Sequence, residues 1–151
     1  MSVNTENGRP NSNPCPGGNT LYILGTGPGK ADHMSGRARQ VLEACDIVVG
    51  YKTYLELIED VIKDKQTLAT GMTKEVDRVQ AAIDAALGGH CCALVSGGDA
   101  GIYAMAGLVL EMLALKKIAC NTGEQGGLWV EVVPGIPALA AGAALLGAPL
   151  T

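Results

Sequence analysis

The segment Ser96-Gly97-Gly98-Asp99-Ala100-Gly101-Ile102-Tyr103 puts two adjacent glycines and one carboxylate between an apolar run, Cys91-Cys92-Ala93-Leu94-Val95, and a helix-like run from Met105 to Leu115. In open parallel sheets, ligands bind outside the carboxyl ends of the strands. Glycines at such an end let the backbone approach a ligand closely. Asp99 could remain ionised beside that ligand by accepting hydrogen bonds. It could equally cap the helix that follows. On this stretch alone the two readings stand level.

Two further loops have similar chemistry. Gly25-Thr26-Gly27-Pro28-Gly29-Lys30 follows the apolar run Leu21-Tyr22-Ile23-Leu24. A dinucleotide fingerprint would need glycine at position 30, where Lys30 stands. A phosphate-binding P-loop would need glycine at 24 and a hydroxyl residue at 31, where the chain has Leu24 and Ala31. Pro28 also removes one backbone donor from any anion cradle. Val133-Pro134-Gly135-Ile136-Pro137-Ala138 then closes a later strand with two prolines around a glycine, a stiff corner. That corner can present backbone groups to a flat heterocycle, or can simply connect to a helix. A ligand bridging all three loops would meet mostly main chain and one carboxylate. This suits a neutral or zwitterionic small molecule better than a polyphosphate. Tyr103 could stack on a ligand or cap the core. Glu75, Asp77 and Arg78 read as a solvated helix face, and His33 as a surface histidine that could face a substrate. No Ser-His-Asp or Cys-His set assembles, so no catalytic residue is nominated.

The elements that must position these loops follow from periodicity. Strands are expected at Leu21–Leu24, Asp46–Gly50, Gln66–Ala69, Cys91–Val95 and Trp129–Val133. Helical spacing follows Ser35, a candidate N-cap, through Ala38, Val41, Leu42 and Cys45. It recurs over Tyr54–Ile62, over Val76–Leu87 with a stop at Gly88-Gly89, over Tyr103–Leu115 and over Pro137–Leu146. Cys120 to Leu128 reads as a surface loop, and Val132 to Leu150 as a buried strand, a turn and a buried helix. Met1 to Asn19 is rich in Asn, Gly, Pro and Ser and reads as a disordered tail ahead of one domain from 20 to 151. Strand and helix alternate, and several strands are apolar throughout. The expected architecture is an α/β, open, mainly parallel sheet of about five strands with helices on both faces.

Composition narrows the function classes. Aromatic residues make up 3% of the 151, with no Phe, so a stacking platform for single-stranded nucleic acid is unexpected. A net charge of -4 without a basic cluster argues against any nucleic-acid partner. Five cysteines and two histidines show no metal-ligand spacing, so no metal site is expected. Cys91 and Cys92 read as small core residues, and the odd cysteine count without a secretory signal favours a reducing, cytoplasmic setting. The apolar end of the chain falls short of a membrane span.

These motifs are together recognisable. Leu24-Gly25-Thr26-Gly27-Pro28-Gly29, Val49-Gly50-Tyr51-Lys52-Thr53-Tyr54, the Ser96–Tyr103 segment and Val133-Pro134-Gly135-Ile136 resemble the tetrapyrrole methylases, or class III methyltransferases. The resemblance runs in order from about Leu21 to Thr151. Gly50–Tyr54, Gly71-Met72-Thr73-Lys74-Glu75 and Gly101–Gly107 look most like the precorrin-3B C17-methyltransferase branch, which serves cobalamin biosynthesis. The resemblance implies S-adenosyl-L-methionine as methyl donor and a large anionic precorrin-type tetrapyrrole as acceptor, with C17 methylation accompanied by ring contraction. It implies that this chain is the N-terminal α/β domain of a two-domain enzyme, with the C-terminal domain absent and little activity on its own. A homodimer is expected, because apolar surface left for the second domain invites association. By motif, the resemblance assigns Pro28, Gly97, Gly98, Asp99, Ile102, Tyr103, Pro137 and Ala138 to the donor site. Lys30, Ala100 and Pro137 depart from the family's acidic residue, proline and hydroxyl residue at those positions. The rival classes are a nucleotide-binding α/β enzyme domain and a non-catalytic binding or dimerisation module.

Overall fold

Five short extended runs become strands: β1 (Thr20–Gly25), β2 (Ile47–Tyr51), β3 (Gln66–Thr70), β4 (Cys91–Ser96) and β5 (Trp129–Val133). The computed structural model describes residues 14, 15 and 17–150. All strand pairings are parallel, in the order β3-β2-β4-β1-β5. β1 is buried along its whole length and so is β4, which explains their unbroken apolar character. The register matters for function. Leu24 lies beside Val95 on one side and Val133 on the other. Three neighbouring strands therefore end level with one another, and the glycine-bearing loops leave from one edge.

Among the described residues six α-helices cover the sheet, α1 (Gly36–Ala44), α2 (Lys52–Leu57), α3 (Glu59–Ile62), α4 (Glu75–Leu87), α5 (Ala106–Leu115) and α6 (Ala138–Leu146), with one 3-10 turn at Ala31–His33. Alternation along the strands divides the core. Leu21, Ile23, Val49 and Leu94 face Val79, Ile83, Val109 and Leu113 of α4 and α5. Tyr22, Leu24, Val48 and Val95 face Val41 and Leu42 of α1, Leu55 of α2, Ile58 between α2 and α3, and Ile62 of α3. Each fully buried aliphatic side chain contributes about 1.5–3 kcal/mol of transfer free energy. Ser35 caps α1 as expected, its Oγ accepting from the Ala38 N–H at 3.1 Å.

Several expectations need correction. The helix expected from Tyr103 begins only at Ala106, because Tyr103 takes a left-handed φ of 51° that no α-helix tolerates. The helix expected over Tyr54–Ile62 is two helices, interrupted at Ile58 (φ -118°, ψ 17°). The last helix was expected to be buried, yet no residue of α6 is, and Val132 ahead of it is exposed. Arg78, expected in solvent, is 5% exposed.

Cys91 is core as expected, but its sulfur is bonded to that of Cys15. Two of the five sulfurs are thus joined, so the odd count no longer argues for a reducing compartment. Of the segment expected as a tail, residues 1–13 and 16 lie outside the described residues. Pro14 and Cys15 are held in place, Pro14 by a hydrogen bond from the Tyr22 hydroxyl to its carbonyl.

Candidate functional site

Backbone meets backbone where β1, β4 and β5 end. The Thr26 N–H and its Oγ1 both donate to the Ser96 carbonyl, at 2.9 and 3.1 Å, so the first loop cannot leave β4. One residue on, Gly27 and Gly98 exchange a pair of hydrogen bonds, at 3.0 and 2.7 Å. Both take positive φ, 82° and 65°, which glycine adopts without strain. A Cβ on Gly135 would lie 2.2 Å from the Gly98 carbonyl oxygen, and one on Gly25 would lie 2.5 Å from the same atom. Only residues without side chains permit this three-way approach.

Asp99 ties the third loop in. Its Oδ1 accepts from the Gly101 N–H at 2.8 Å and its Oδ2 from the Gly135 N–H at 2.9 Å. The carboxylate therefore bridges the ends of β4 and β5. It caps no helix: α5 starts at Ala106, and its N-cap position, Met105, has no side-chain cap. Of the two readings of Asp99, the helix cap is excluded.

All eight residues assigned by motif lie along this rim. Pro28 follows the Gly27–Gly98 bridge and is half-buried. Gly98 faces the turn into α6, since its missing Cβ would sit 3.5 Å from the Ala138 nitrogen and 3.6 Å from the Pro137 Cα. Pro137 is the N-cap residue of α6, and Ala138 is exposed. Gly97 lies against the Tyr54 ring. Ile102 is 52% exposed and Tyr103 stands fully in solvent at 106%, so Tyr103 does not cap the core. His33 is exposed and lines, with Met34 and Pro134–Ile136, a cleft of ≈ 340 Å³ on the other side of the first loop.

The rim thus offers main-chain groups, one carboxylate and two uncovered side chains, one branched aliphatic and one aromatic. That set fits a zwitterionic or cationic donor bearing a flat ring. Among the described residues no group of three His, Cys, Asp or Glu could hold a metal ion, and no helix is long and apolar enough to cross a membrane.

The model of the tetrapyrrole (corrin/porphyrin) methylases matches residues 20–151. The chain belongs to that family. Among curated methylases, it is 48% identical over 130 residues to a probable cobalt-factor III C(17)-methyltransferase of Salmonella typhimurium, a match covering 86% of this chain and 51% of that protein. It is 45% identical over 130 residues to the cobalt-factor III methyltransferase of Priestia megaterium, covering 86% of this chain and 23% of that one. Among solved structures, the methyltransferase CobJ superposes with a TM-score of 0.74 at 31% identity, over 86% of this chain and 52% of CobJ. The chain therefore spans about half the length of the Salmonella relative and of CobJ, and less of the Priestia protein. The five-stranded parallel sheet with helices expected from the sequence is the methylase fold.

Four residues at or beside the rim are not evident from the sequence. Thr26 and Ser96 look like ordinary loop and strand-end residues until their carbonyl and hydroxyl contacts are seen. Tyr51, half-buried on a strand end, packs edge-on against Tyr54 at 5.4 Å. Arg78 carried a usable signal: it lies four residues before Ala82 and so shares the buried stripe of α4 with Val79, Ala82, Ile83 and Ala86.

Proposed function

We propose that this chain is the donor-binding part of a cobalt-factor III or precorrin-3B C17-methyltransferase, acting with S-adenosyl-L-methionine on a precorrin-type macrocycle. The observation that carries this reading is the Asp99 carboxylate held between Gly101 and Gly135. It gathers Gly97, Gly98, Ile102, Tyr103, Pro137 and Ala138 on one rim, with Pro28 beside them across the Gly27–Gly98 bridge. These residues would hold the donor. Asp99 supplies negative charge near a cationic ligand, the missing side chains of half-buried Gly97 and Gly98 let that ligand approach the main chain, and Ile102 and Tyr103 supply surface for a flat ring. Bound there, S-adenosyl-L-methionine supplies an electrophilic methyl group on a positively charged sulfur. The task of the chain is to fix that group and exclude competing orientations. Positioning of this kind can lower a barrier by about 7–11 kcal/mol, which agrees with a rim that presents no nucleophile.

The uncovered α6 and the exposed Val132 and Ile136 belong to the same reading: the other half of a methylase would seat there, closing the acceptor site. On this chain alone, the same uncovered face would instead pair with a second copy, so a homodimer is part of the proposal. Calorimetric titration with S-adenosyl-homocysteine and, separately, with NAD tests the assignment. Binding of the former with little or none of the latter is expected. Preferential binding of NAD overturns it.

A further inference from the structure

Beside the rim lies a cavity of ≈ 220 Å³ whose lining includes Tyr51, Tyr54, Arg78, Ser96, Gly97 and Tyr103. Arg78 is 5% exposed. Its Nε donates to Thr70 Oγ1 at 2.6 Å and one Nη to the Gly71 carbonyl at 2.9 Å. The other Nη meets only Met105 Sδ, at 3.9 Å, a weak acceptor. The guanidinium also lies 5.7 Å from the centre of the Tyr51 ring. Among the described residues no carboxylate comes within ion-pair distance of it: the ion pairs are Arg37–Glu131, Lys52–Glu56 and Lys74–Asp77. Buried charges ordinarily have an opposite charge as partner. A second observation points the same way. Ser96 Oγ, in the same lining, is buried and has no hydrogen-bond partner among the described residues. A buried hydroxyl without a partner is costly. The cavity therefore holds a positive charge and a spare hydroxyl donor. The acid in its lining, Glu75, is half-buried one turn before Arg78 and forms no ion pair with it.

We propose that this cavity is a carboxylate subsite, in which Arg78 and Ser96 donate to a carboxylate of a bound ligand between the Tyr51, Tyr54 and Tyr103 rings. The inference rests on the methylase reading for its ligand: the carboxylate belongs to an acidic side arm of the macrocyclic acceptor. The carboxylate of the donor's methionine end is the other source of the same chemistry.

Calorimetry on the full chain separates the possibilities, with uroporphyrin as the polycarboxylate tetrapyrrole probe and S-adenosyl-homocysteine as the donor probe. Two variants are compared with the unsubstituted chain. Arg78→Gln removes the charge but also disturbs the Thr70 and Gly71 bonds, so its fold is checked by circular dichroism. Ala104→Glu leaves those bonds intact and places an internal carboxylate in the lining of the cavity. Both variants are expected to weaken uroporphyrin binding about tenfold or more, the range for a charge-assisted hydrogen bond, and to leave S-adenosyl-homocysteine within about twofold. A matching loss for S-adenosyl-homocysteine, with uroporphyrin unchanged, supports the subsite and assigns it to the donor. Unchanged binding of both probes by a folded Ala104→Glu chain overturns the subsite while leaving the methylase reading standing. If the unsubstituted chain binds NAD and neither probe, both readings fall.

Discussion

At the scale of single residues, the rim is held by hydrogen-bond acceptors on one side chain and by the absence of side chains elsewhere. Replacing Asp99 with Ala removes two bonds to backbone N–H groups, at 2.8 and 2.9 Å. Thermal unfolding is expected to report a loss of about 1–3 kcal/mol, and S-adenosyl-homocysteine affinity is expected to fall with it. Glycine substitutions give a sharper contrast. Gly135→Ala would force a methyl to 2.2 Å from the Gly98 carbonyl oxygen, so the loops must part. Gly142→Ala, inside α6, meets nothing within 4 Å. The first is expected to destabilise by about 1–3 kcal/mol, and the second to stabilise by up to about 1 kcal/mol through helix propensity. Melting temperatures moving in opposite directions check the pair. Much of this was legible in the chain. Glycines at three strand ends and one aspartate announce a backbone-lined site. That Asp99 reaches across to Gly135 was not legible, because the contact spans 36 residues and depends on strand order. Nor was the left-handed Tyr103, whose conformation no side-chain pattern encodes.

At the scale of elements, apolar runs located the central strands, because β1 and β4 are buried on both faces, and helical spacing located nearly every helix, because a half-buried helix reveals its buried face. The failures are those of segments without a contrasting face. α6 is apolar on all sides, so nothing in it distinguishes a covered from an uncovered helix. Arg78 failed for the opposite reason: its charge suggested solvent although its position on α4 lies in the buried stripe. The buried thiols, Cys45 at the end of α1 and Cys92 on β4, make a prediction about pH. Burial raises Cys45 from its ordinary 9.0 to about 11 and Cys92 from 9.0 to about 12. The unfolded chain would ionise first, so this contribution is complete below the ordinary thiol value and is lost as pH rises through the folded values. Each thiol then costs up to about 1.4 kcal/mol of stability per pH unit. Denaturant titrations between neutral and strongly alkaline pH should show stability declining above the ordinary thiol range. Cys92→Ala should flatten part of that decline. Between elements, Arg37 on α1 forms two hydrogen bonds with Glu131 on β5, at 3.0 and 2.9 Å, which holds its guanidinium above the ordinary value. Arg37→Ala is expected to cost about 1 kcal/mol at most, since both side chains remain partly in solvent.

At the scale of the whole molecule, the two ends of the sheet differ in chemistry. The rim gathers at the strand ends, and an apolar flank formed by α6 stands open beside it, with Leu139, Leu145 and Leu146 between 67% and 89% exposed. Changing Leu145 and Leu146 together to Gln should leave the melting temperature nearly unchanged, because neither is packed in the fold. Sedimentation velocity should then show less self-association than in the unsubstituted chain. A drop in stability instead would mean that the flank is already covered in solution. At the opposite end, Cys15 is bonded to the first residue of β4. Reduction is expected to lower stability by about 2–4 kcal/mol, measured as a shift in the denaturant midpoint. The bond also has a practical geometric result. β4 runs six residues from Cys91 to Ser96, beside the proposed donor rim, about 17–20 Å along an extended strand. The disulfide therefore marks the pole facing away from the proposed rim, so a surface that captures the protein by that pole would leave the rim turned outward.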